Sequence, residues 1–89
     1  MRGGKYQLVE VIWEDSRQPS IGWEFVKEAD IPDICECKTV GYIVKQTKRK
    51  VVVAQSIGDL RSKKVQVNGL TTIPMRCVTR IVSLNTKSR

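Results

Sequence analysis

Three cysteines and no histidine set the range of chemistry open to this chain. Histidine is the usual general acid–base near neutral pH and the commonest metal ligand. Its absence excludes Ser-His-Asp and Cys-His catalysis and every zinc site that uses imidazole. A thiolate site built from Cys35, Cys37 and Cys77 would need a fourth ligand and a C-x2-C knuckle. The sequence offers neither, so buried structural thiols are the expectation, because free Cys behaves as a small hydrophobe. No paired-carboxylate motif is visible either. The expectation is a binding protein rather than an enzyme, with no metal and no cofactor.

Charge is the next chemical resource. The chain carries 16 Lys and Arg against 9 Asp and Glu, a formal net of +7. The charge is segregated. Residues 1 to 36 hold eight acids and four bases, a net of −4, whereas residues 37 to 89 hold one acid, Asp59, and twelve bases, a net of +11. Such a distribution creates a steering field. The bases concentrate at Lys45, Lys48, Arg49 and Lys50, and again at Arg61, Lys63 and Lys64. Both groups fall on or beside expected turns, so both are expected to project from one end of the fold.

Two readings of these bases compete. One is an anion site for nucleotide phosphates, a nucleic-acid backbone or an acidic protein surface. The other is solvated hairpin tips that protect edge strands. Stacking on single-stranded nucleic acid needs exposed aromatics among the bases. Of the five aromatics only Tyr42 lies in the basic half, so a nucleic-acid module is the alternative rather than the leading reading. Self-association is also expected, with an acidic surface of one subunit meeting the basic surface of the next.

Around Trp13 and Trp23 the polar residues admit two roles. Asp15 and Ser16 cap a turn through side-chain bonds to backbone N–H groups, or hold a ligand or partner. Trp23, between Gly22 and Glu24, is a core residue or an exposed interface anchor. Gln55 and Ser56 satisfy the mouth of the fold or line a pocket.

These residues are positioned by strands. Val and Ile are frequent, and no helical apolar stripe runs through the chain. Tyr6 to Glu14 reads as a first strand, with Val9, Val11 and Trp13 on the core face and Leu8, Glu10, Ile12 and Glu14 on the other. Residues 15 to 20 form a loop, and Ile21 to Val26 a short second strand. Lys27 to Asp33 is a surface connection. Ile34 to Thr47 is the longest strand, with Gly41 marking a bend or bulge and Cys35 and Cys37 on one face. Lys48 to Lys50 is a turn, Val51 to Ser56 a buried strand, and Ile57 to Lys64 a loop. Val65 to Asn68 is a short strand ending in an Asn68-Gly69 turn. Thr71 to Pro74 and a brief helical or 3-10 turn near Met75 to Cys77 precede a last strand, Val78 to Leu84. The tail from about residue 85 is expected to fray.

At 89 residues the chain is one domain, residues 1 to 89, and buries only about 60–65% of its unfolded surface. Five to six short strands with a 3-10 turn before the last point to an all-β fold, a small antiparallel SH3-like barrel. An odd cysteine count and no signal-like N-terminus argue for a reducing, intracellular setting. No apolar run approaches the ~18 residues that a membrane span needs.

The order Trp13-x-Asp15-Ser16, Gly22-Trp23, Val40-Gly41-Tyr42, Ala54-Gln55-Ser56, Ile73-Pro74, Ile81 and Leu84 resembles small accessory proteins of tailed bacteriophages and prophages. The resemblance covers residues 11 to 84. The chain departs from that pattern at Thr39, where Ser is common, and in its basic hairpin at residues 48 to 50. It implies a phage protein in the host cytoplasm that disables a host function or defence. The expected partner is a host protein or an anionic nucleotide-like ligand.

Overall fold

The computed structural model describes residues 6–17 and 22–84. Five strands follow one another: β1 (Leu8–Asp15), β2 (Cys35–Gln46), β3 (Lys50–Gly58), β4 (Gln66–Pro74) and β5 (Val78–Ser83). A 3-10 turn, Met75–Cys77, separates the last two. All pairings are antiparallel, in the order β4-β3-β2-β1-β5. The all-β architecture and the 3-10 turn agree with the sequence. The tail expected to fray lies outside the described residues, as do residues 18 to 20 of the expected loop.

Pleat geometry selects the interior. Val9, Val11 and Trp13 share a face, as expected, and face Gly41, Thr39 and Cys37 across the β1–β2 ladder. Val9 and Val11 are fully buried and cluster with Val51, Val53 and Ile73. Trp13 is half-buried against that cluster with Ile43, Met75, Val78 and Ile81. Its indole N–H donates to Thr39 Oγ1 at 3.0 Å, which satisfies the polar end of the ring. Ile12, placed by alternation on the outer face, is buried as well, between Lys38 of β2 and Arg80 of β5.

The sheet is strongly curled. Its two edge strands, β4 and β5, are joined by three residues only. In a flat sheet they would lie about 19 Å apart, four strand spacings. Ile73 of β4 and Ile81 of β5 instead pack on one cluster, and the 3-10 turn lies against both β1 and β3. Two irregularities assist the curl. The β2–β3 register shifts between Ile43 and Lys45, and the β1–β5 register between Ile12 and Trp13. Bulges of this kind increase local twist.

Three sequence expectations are corrected. Gly41 is not the bulge, which sits two to four residues further on; it allows a close approach of β2 to β3. A Cβ there would stand 2.7 Å from the Ala54 carbonyl oxygen and 3.2 Å from Val53 Cβ. The second strand expected at Ile21 to Val26 does not form over its described residues. Phe25 to Ala29 makes a helical turn instead, with the Ala29 N–H on the Phe25 carbonyl at 3.0 Å. Lys27, Glu28 and Ala29 are better helix formers than strand formers. The described residues therefore hold five strands, within the expected five to six. Asn68-Gly69 is not a hairpin turn but lies inside β4, where Gly69 takes φ +70° and the Gln55 side chain lies across it. The turn between β3 and β4 lies at Asp59 to Val65, close to the loop expected at Ile57 to Lys64, with β3 running on to Gly58.

The distal half of the β3–β4 hairpin, from Gln55 outward and back to Leu70, has no fully buried residue. The longest dimension is 59 Å against 26 and 24 Å. The radius of gyration is 17.7 Å, where a compact chain of this length would have about 12 Å.

Because a backbone carbonyl cannot swing aside as a side-chain end can, Gly41→Ala is expected to destabilise by about 1–3 kcal/mol. Gly58→Ala, with open space around the new methyl, serves as the control. Thermal melts of both variants check this. Equal midpoints would show that the β2–β3 approach is not tight.

Candidate functional site

The cationic residues named from the sequence separate into two groups. The β2–β3 tip presents Lys45, Lys48, Arg49 and Lys50, and the β3–β4 loop presents Arg61, Lys63 and Lys64. In a meander, successive turns lie at opposite ends of the shared strand. Here that strand is β3, eight steps from Lys50 to Gly58, or about 26 Å at 3.3 Å per residue. The expectation that both groups project from one end is therefore overturned by topology.

At the β2–β3 tip the structure adds a residue that the sequence did not single out. Arg76, in the 3-10 turn, joins Lys48 and Arg49 around an open depression floored by Pro74 and Met75. A second depression adjoins it, lined by Lys45, Thr47, Arg49, Lys50, Thr72 and Pro74. Arg49 and Pro74 are common to both, and no acid lines either. The tip is held by its backbone. Thr47 Oγ1 accepts the N–H groups of Arg49 and Lys50 at 3.1 and 3.2 Å. The Met75 N–H donates to the Arg49 carbonyl at 2.8 Å, which ties the 3-10 turn to the hairpin. The side chains of Lys45, Lys48, Arg49, Lys50 and Arg76 have no hydrogen-bond or ion-pair partner among the described residues. Arg76 was legible only through its position in the 3-10 turn, whose place against β3 depends on the curl.

The other named residues lie elsewhere. Asp15 Oδ1 accepts the Ser16 N–H at 2.8 Å, the local capping role. Gln55 stands on β3 about 16 Å along from Lys50 and covers Gly69, so it belongs to the hairpin rather than to the basic tip. Trp23 is fully exposed, at 103% of its reference area. It sits in the β1–β2 connection, whose described residues, 16–17 and 22–34, make no strand. Phe25, Val26, Ile31 and Ile34 in this arm are exposed too. The arm is tied at its neck, where Arg17 Nε donates to the Asp33 carbonyl at 2.8 Å.

Beside that neck, Cys35 and Cys37 share a face as expected, with their sulfurs 3.6 Å apart. Burial pushes the Cys37 thiol pKa above its ordinary 9.0, and the neighbouring Cys35 thiol and the charge of Asp15 add to this, against an opposing effect of Arg17. No group of three or more His, Cys, Asp or Glu able to hold a metal occurs among the described residues, and no helix there is long and apolar enough to cross a membrane.

Compared with protein-family models, curated proteins and solved structures, the chain has no match.

A raised thiol pKa makes two linked outcomes. Cys37 should alkylate more slowly in the folded chain at pH 8 than in urea, since the thiolate is the nucleophile. The stability associated with its protonated form is fully present below about pH 9 and is lost as pH rises through the higher folded value. Site-resolved mass spectrometry of iodoacetamide labelling reads the first. Equal rates in the two states would contradict it.

Proposed function

We propose that this chain is a non-catalytic binding protein of the phage-accessory kind, acting in the host cytoplasm, whose working surface is the basic β2–β3 tip. The observation that carries the reading is the convergence of Lys45, Lys48, Arg49, Lys50 and Arg76 on two adjoining depressions with no acid among their lining residues. Five cations without a side-chain partner among the described residues, gathered at one end, repel one another. An anion relieves that repulsion, and the summed field steers it in. The class of ligand is an anionic host component: a nucleotide-like phosphate compound or an acidic surface of a host protein. Binding it neutralises it, and the depressions are lined by cations with no carboxylate, imidazole or thiol beside them.

The resemblance to phage and prophage proteins supports the setting. The curled sheet supports the finer fold, an SH3-like barrel, through its strand order and its 3-10 turn before β5. A nucleic-acid module fits less well, because no aromatic lines the basic depressions and stacking carries much of single-strand affinity.

Incubating the purified chain with a bacterial nucleotide extract, denaturing it and analysing the released compounds by mass spectrometry tests the small-anion form. Capture from a host lysate tests the protein form. In either form the triple variant Lys48→Glu, Arg49→Glu, Arg76→Glu should lose at least about tenfold in retention, some 1.4 kcal/mol, while Lys63→Glu with Lys64→Glu should change little. Retention unchanged by the tip variant, or nothing retained by the native chain in both assays, sinks the proposal.

A further inference from the structure

The arm at residues 22–34 and the distal β3–β4 hairpin share two properties. Each exposes large apolar side chains away from the core, and each carries concentrated charge of one sign. In the arm, Trp23, Phe25, Val26, Ile31 and Ile34 are all exposed. Around them lie four acids, Glu24, Glu28, Asp30 and Asp33, and one base, Lys27, a net of −3. At the hairpin end, Leu60 and Val67 are exposed. Beside them are three bases, Arg61, Lys63 and Lys64, and one acid, Asp59, a net of +2.

The hairpin loop is preformed. Asp59 adopts φ +55°, a left-handed conformation that Asp tolerates better than most residues. Its carboxylate accepts the Gln66 side-chain amide at 2.7 Å, and its carbonyl accepts the Ser62 N–H at 2.9 Å. The Lys64 N–H is taken by Ser62 Oγ at 2.9 Å. With the one acid engaged in this way, Arg61, Lys63 and Lys64 are all exposed with no side-chain partner among the described residues.

Topology puts the two features at the same end of the sheet. The β1–β2 connection and the β3–β4 turn are alternate turns of one meander, and alternate turns fall on the same side. They do not cover each other within one chain, since the apolar residues of both remain exposed. A two-fold axis at this end would bring the arm of one subunit onto the hairpin of another, and the reverse, in two identical contacts.

We infer that this chain forms a two-fold dimer in which each subunit's acidic, apolar arm docks on the basic, apolar β3–β4 hairpin of its partner copy. The second copy is favoured as occupant because the complementary charge is already present at the same end of the same molecule. A two-stranded ribbon clear of the core is only marginally stable in water, so docking also steadies the hairpin. The contact leaves the β2–β3 tip free at the other end of β3, so the dimer and the anion-binding reading stand or fall separately.

Complementary charge reversals test it. Glu24→Lys with Glu28→Lys reverses the arm, and Arg61→Glu with Lys63→Glu reverses the hairpin. All four positions are exposed, so folding is expected to survive, and circular dichroism checks that it does. Sedimentation of the native chain should give about twice the 10.1 kDa monomer mass. Each reversed variant alone should dimerise at least about tenfold more weakly, because both of its contacts oppose like charges. An equimolar mixture of the two should regain the native dimer mass, because both contacts in the mixed pair are complementary. A monomeric native chain would overturn the inference. So would a dimer indifferent to either reversal, or a mixture that stays monomeric.

Discussion

Ile73 reaches the same interior as Val9 and Val11 although β4 lies three positions from β1 in the sheet. In a flat sheet that separation would be about 14 Å, too far for contact. Only curling closes it, and two local features permit the curl. Gly41 lets β3 come close where any side chain would meet the Ala54 carbonyl. The three-residue 3-10 turn then carries the chain from one edge strand to the other. Among the described residues the fully buried set is small, and none of its members is polar. The rest of the structure hangs on this packing.

The same curl shapes the chemistry. It brings Arg76 of the 3-10 turn beside Lys48 and Arg49 of the β2–β3 tip, which are 28 and 27 residues earlier in the chain. It also leaves two features outside the core, the arm between β1 and β2 and the distal part of the β3–β4 hairpin. Their apolar residues find no room in so small an interior. The charges sort along with them: cations alone around the tip depressions, acids on the arm, cations again at the far hairpin.

Much of the scaffold was legible in the chain because strand alternation is local. The Val9, Val11, Trp13 face and the shared face of Cys35 and Cys37 follow from period two, and a short helical turn after Pro74 is expected near Met75 to Cys77. The failures also have local causes. Ile21 to Val26 has the apolar content of a strand, but a strand needs a ladder partner, and the helix-favouring Lys27-Glu28-Ala29 follows it. Asn68-Gly69 carries the composition of a tight turn, yet the pairing of Ser56 with Asn68 and of Ala54 with Leu70 holds it inside β4. There the glycine accommodates a positive φ beneath Gln55 rather than reversing the chain. Gly41 in a strand interior signals a special backbone position, and here it serves a close approach of two strands rather than a bulge.

By itself the sequence determined the chemical inventory and the strand-forming faces. It holds no imidazole, carries a segregated charge and places its apolar residues with period two. Those are properties of residues and their near neighbours, so they survive without knowledge of the fold. Where the charges meet was decided only by tertiary structure. Turn residues say that a hairpin exists, but the end on which it emerges depends on the count and pairing of every strand before it. Thus the +11 half, which reads as one basic face along the chain, divides into two groups about 26 Å apart along β3. Arg76 joins the first of them through a curl that no local pattern encodes.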